Sequence, residues 1–71
     1  MPGECEHCKR LFDEVEKHLF HISEVSREQA GALARKDLAW VDRLDEELEH
    51  AVGAKERSLG ALREHWLEHE H

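Results

Sequence analysis

No stretch of this 71-residue chain approaches the ~18 consecutive apolar residues that a bilayer-crossing helix requires. The opening residues Met1, Pro2, Gly3 and Glu4 lack the basic and apolar regions of a secretory signal, so a cytoplasmic location is expected. Basic side chains are also short, with 10 Lys and Arg against 17 Asp and Glu and a formal net charge of -7. Release of counterions from a phosphate backbone needs clustered cations, so nucleic acid is disfavoured as a partner. Only two cysteines and one proline are present. In a reducing compartment such a cysteine pair is more often thiol or metal ligand than bridge. There is no Gly-rich phosphate loop and no recognisable nucleophile with its attendant base.

What is present is helical periodicity. Leu44, Leu48, Val52, Leu59, Leu62, Trp66 and His69 follow one another at intervals of 3, 4 or 7, which keeps them on one stripe of an α-helix. In the first half, Cys5, Cys8, Leu11, Phe12, Val15, Leu19, Ile22, Val25, Gln29 and Leu33 form a similar heptad-like stripe. Between the halves, Ala34-Arg35-Lys36-Asp37 reads as a turn: basic residues suit a helix C-terminus, and Asp37 can cap the next helix. The sequence therefore predicts a single all-α domain over residues 1–71, an antiparallel two-helix hairpin. Helix 1 is expected over about 4–34, the turn over about 35–37 and helix 2 over about 38–68. Pro2, Gly3 and Glu4 suit the helix start. Ser26-Arg27-Glu28-Gln29 resembles a capping box and Gly31 weakens a helix by ~1 kcal/mol, but the apolar stripe stays in phase across both and the helix is expected to continue. With the turn centred near Lys36, residue i should face roughly residue 73 - i, which sets Cys8 level with His65.

Two helices shield only one seam from water, so a chain this short is expected to gain stability from a metal, a disulfide or a second chain. Phe20 and Trp40 fall off the main seams, and together with Ala51, Ala54 and Ala61 they are expected to form a second face that another copy covers. Two hairpins would then make a homodimeric four-helix bundle, with a further protein partner open. Gly53 and Gly60 either form a slot for Phe20 and Phe12 or are tolerated surface glycines.

The most pointed chemical feature is Cys5-Glu6-His7-Cys8 together with His65 and His69. Two thiols three residues apart and two imidazoles four apart are the spacings of helical ligands, and a fold-back would join them into a Cys2His2 zinc clip at the open end. The competing expectation is that the cysteines pack as small apolar seam residues, the histidines meeting water. The paired Cys-x-x-Cys resembles that of the zinc hook in DNA-repair coiled coils, but its place at the chain end and the missing proline carry nothing across. Leu67-Glu68-His69 also has the form of a cloned histidine tail, interrupted by Glu70, in which case His69 carries no ligand role.

Other patterns are weaker. His65-Trp66-Leu67-Glu68-His69 fits the H-x-x-E-H of inverted zinc peptidases, with no room left for a further ligand or cleft. Cys5 to Lys9 has the form of a lysine-terminated haem-attachment motif without the export that such chemistry usually accompanies. Glu47 and His50 match the Glu-x-x-His of di-iron bundles, but His50 should point to solvent, and His18 with His21 is at best a surface pair. The expected function is thus a non-enzymatic, self-associating interaction module with a zinc clip. The alternative is a metal- or redox-responsive regulator sensing through Cys5 and Cys8.

Overall fold

A computed structural model describes residues 6–68, and its order of elements is α1 (Glu6–Ala34) followed by α2 (Leu38–Glu68). The helix start near Glu4, with Pro2 and Gly3, lies outside the described residues, as do Cys5 and His69. α1 runs unbroken through Ser26 and Gly31. A methyl at Gly31 would meet only the Arg35 guanidinium at 3.5 Å, so no tertiary approach requires glycine there.

The turn is built from backbone hydrogen bonds. The Asp37 N–H donates to the Ala32 carbonyl at 2.9 Å and the Lys36 N–H to the Leu33 carbonyl at 2.9 Å, the double closure of a Schellman C-cap. This motif needs a left-handed residue, and Lys36 supplies it at φ 62 where glycine is usual, a conformation costing roughly 1 kcal/mol. One residue later the Asp37 carboxylate accepts from the Trp40 N–H at 3.2 Å, capping α2 as its sequence position implies.

The two helices lie side by side in one layer, 52 × 18 × 13 Å overall. Apart from Gly31, the buried and half-buried residues on α1 fall at Cys8, Leu11, Val15, His18, Ile22, Val25, Gln29 and Ala32, an alternation of three and four. On α2 they include Val41, Leu44, Leu48, Ala51, Lys55, Ser58, Leu62 and His65, with the same alternation. Pairing the two rows by the 73 - i register matches each member of one to a member of the other. Contacts along the hairpin agree: Gln29 donates to the Val41 carbonyl at 3.2 Å and Asp45 at 3.3 Å, while His21 lies 3.5 Å from Glu47.

The expected seam is corrected at several positions, Phe12, Val52 and Trp66 among them, which stand exposed beside it. His18 stands in the seam where Leu19 was expected, Ala32 where Leu33 was, and Ala51 is buried between the helices instead of lying on an outer face. The core is accordingly thin and divided. One cluster joins Leu11, Val15 and Leu62 with Leu59; the other joins Val25, Ala32 and Leu44 with Val41 and Leu48. Between them the seam passes through His18, Lys55 and Ser58. Gly53 and Gly60 form no slot for a ring: a methyl at Gly53 would meet only Arg57, and one at Gly60 would meet nothing within 4 Å.

Candidate functional site

Two features remain after the seam is accounted for, the open end of the hairpin and one of its flanks. At the open end Cys8 turns into the seam and is buried, as expected of an apolar packing residue, and His65 stands level with it on α2, half-buried. His7 completes the group, its ring edge-on to His65 with centroids 4.7 Å apart. Sequence reading passed over His7, although its place one residue before Cys8 puts it on the rim of the seam. Among the described residues no group of three or more His, Cys, Asp or Glu is placed to hold a metal ion. Of the four expected zinc ligands, Cys8 and His65 are brought to one level, and Cys5 and His69 lie outside the described residues.

The other candidate centres are dispersed. His50 is exposed, as its helical phase implied, and Glu47 faces outward to His21 on the hairpin's margin, so Glu47 and His50 do not converge inward. His18 sits in the seam whereas His21 is exposed, which divides that pair. The Lys55 ammonium lies 2.8 Å from the Glu56 carboxylate. This hydrogen bond, then the Lys55 charge, holds Glu56 below the usual carboxylate range, with Arg63 adding to the effect against slight desolvation. No described helix is long and apolar enough to cross a membrane.

The flank is the larger feature. Each helix carries a second row beside its seam row, one residue after alternate seam positions. On α1 this row holds Phe12, Leu19, Ser26 and Leu33; on α2 it holds Leu38, Asp45, Val52, Leu59 and Trp66. In an antiparallel pair these two rows share one side of the hairpin, and Phe12 packs edge-on against Trp66 there with centroids 6.0 Å apart. The opposite margin is polar where His21 meets Glu47, and Trp40 belongs to that side by its helical phase. The apolar flank stands largely in solvent: Phe12 is 49% exposed, Leu19 50%, Leu33 57%, Leu38 65% and Trp66 44%.

Toward the open end the flank deepens into a groove of about 340 Å³ lined by Phe12, Leu59, Leu62, Trp66 and Leu67, with Arg63 at its edge. Its shape follows from the two aromatic rings standing as walls over the Leu59 and Leu62 floor. Nothing in it offers an acid, a base or a nucleophile, so what it can do is receive an apolar group. The single broad stripe expected from the sequence is thus two rows, one buried and one left bare. No protein family, characterised protein or solved structure matches this chain at a significant level.

Proposed function

We propose that this chain is a non-enzymatic helical interaction module that self-associates through its apolar flank, two hairpins packing into a homodimeric four-helix bundle. The observation that carries this reading is the bare row of Phe12, Leu19, Leu33, Leu38, Val52 and Trp66 running the length of the hairpin. Scattered exposed leucines are ordinary, whereas an apolar face of this extent, interrupted by Ser26 and Asp45, marks an interaction surface. These side chains with Leu59, Phe20 and Leu67 at the margin present on the order of 800 Å², which is what each partner contributes to a standard interface. The whole chain exposes 5671 Å², against about 4,600 Å² for a compact monomer of its mass. A second copy laid on this flank would remove an excess of that size.

Leu19 and Val52 sit mid-flank and are not among the buried core residues, so changing both to Glu should spare the hairpin and break the association. Sedimentation should give a dimer for the wild-type chain, and the double variant should associate at least ~100-fold more weakly while keeping its helical circular dichroism. A wild-type monomer at millimolar concentration, or an unaltered dimer in the variant, would remove the reading.

A zinc clip at the open end belongs to the same proposal, formed by Cys5, Cys8, His65 and His69. It is supported by the shared level of Cys8 and His65 and by the ligand spacings of the sequence. Under it, Cys8→Ser should lower the melting temperature more with zinc present than with chelator, on top of the loss from its buried seam position; equal losses in the two conditions would assign Cys8 to seam packing alone. The same titration tests the alternative, a sensor working through Cys5 and Cys8, which requires a large gain in helicity when zinc binds.

A further inference from the structure

The rims of the apolar flank carry an uneven charge, and that asymmetry selects how the second copy lies. On α1 the next row outward includes Lys9 and Glu16; on α2 it includes Asp42, Glu49, Glu56 and Arg63. Lys9 and Arg63 are at the open end, Glu16 and Glu56 near the middle, and Asp42 beside the turn. Two closed two-fold arrangements lay flank on flank. With the axis along the hairpins, open end meets open end and α1 lies over α2 of the second copy. Lys9 then falls against Arg63 and Glu16 against Glu56, each twice, so every charged rim pair is repulsive.

With the axis across the hairpins at mid-length, open end meets turn and each helix lies antiparallel on its own copy. Arg63 then falls against Asp42 of the second copy, twice, and Glu49 against Glu56, also twice, so opposite- and like-charge pairs balance where the first arrangement has like-charge pairs alone. Shape points the same way. The open-end groove, lined by Phe12, Leu59, Trp66 and Leu67, meets the turn end, where Leu33 and Leu38 protrude, 57% and 65% exposed. Knobs from one copy thus enter the groove of the other, instead of two aromatic rims meeting edge to edge. Asp45, the acid in the apolar row, is engaged from the seam side by the Gln29 amide at 3.3 Å.

Building on the self-association proposed above, we infer that the two hairpins pack head to tail, with Arg63 of each copy paired to Asp42 of the other and Leu33 and Leu38 seated on the open-end groove that Phe12, Leu59, Trp66 and Leu67 line. A consequence is that the two open ends lie at opposite ends of the bundle. Cys5, Cys8, His65 and His69 of one copy would then meet no ligand of the other, and any zinc clip is formed within one chain.

Arg63 and Asp42 stand about 30 Å apart along the straight α2 helix, so any coupling between them arises between copies. The experiment is a charge-swap cycle on the full chain, with dissociation constants from sedimentation at low ionic strength, where exposed charges are least screened. Arg63→Asp and Asp42→Arg should each weaken the dimer about 5- to 20-fold, and the double variant should return to within about 3-fold of wild type. If Arg63→Asp strengthens the dimer, relief of the Lys9 repulsion identifies the open-end-to-open-end arrangement and the inference is overturned. Single effects that merely multiply in the double variant, or no effect of either, overturn it as well. A wild-type chain that stays monomeric defeats the underlying self-association, a different failure.

Discussion

Leu44→Ala is expected to destabilise the hairpin by about 2–4 kcal/mol, the range for removing a buried leucine whose surroundings cannot close the space. Leu44 is 3% exposed and packs with Val25 and Ala32, the latter fully buried. Ala32 is already minimal, and Val41 and Leu48 are tied to the same helix as the lost side chain, so little can move in. In a one-layer molecule with two small clusters this is a large fraction of the total, and the melting temperature should fall by roughly 10–25 °C. The comparison is Leu38→Ala, six residues earlier on the same helix and 65% exposed, which should change stability by no more than about 0.5 kcal/mol below the concentration of association. Helical circular dichroism followed against temperature measures both. Equal losses in the two variants would mean that burial in the turn-proximal cluster does not hold the helices together.

Much of this architecture was legible because period and turn chemistry are local. The alternation of apolar positions fixes the helices, Asp37 and the residues before it fix the turn, and a short turn between long helices leaves one register. The partition of apolar residues between seam and flank was harder to read. Leu19 and Leu33 outrank His18 and Ala32 on any hydrophobicity scale, and Val52 outranks Ala51, yet the smaller or more polar member of each pair is the more buried. Strict three-four phase predicts this outcome, whereas hydrophobicity alone inverts it. At Ala32, next to the turn, a tight connection holds the backbones close and favours a small residue. The large neighbours are displaced by one position to the outer row, which is why hydrophobicity alone groups this exposed row with the core. Phe20 and Trp40 both stand off the seam as expected, 68% and 38% exposed, with Trp40 on the margin opposite the apolar flank. The open end was legible as a level shared by Cys8 and His65, and the His7 to His65 contact was missed because a ring stacked across helices has no spacing signature in one chain.

The other large effect should run in the stabilising direction. His18 and Lys55 face each other in the seam between the two apolar clusters, and the Lys55 side chain is only 22% exposed, its ammonium reaching outward to Glu56. Replacing both by leucine would join the clusters into one continuous core. Each half-buried leucine contributes on the order of 1–1.5 kcal/mol, so the double variant should gain about 2–3 kcal/mol and melt roughly 10–20 °C higher. The lost contact with Glu56 subtracts little, because that carboxylate is exposed and such pairs are weak in water. Its removal does leave a signature: Glu56 should titrate closer to the ordinary carboxylate range, retaining only the influence of Arg63. The sign of the linkage follows, since a depressed carboxylate adds stability above its unfolded pKa and loses it as pH falls through the folded value. The wild-type chain therefore has slightly more to lose on acidification than the variant. A variant that melts no higher than wild type would show that the clusters are already coupled through Ile22 and Ala51, and that the charged step between them costs nothing.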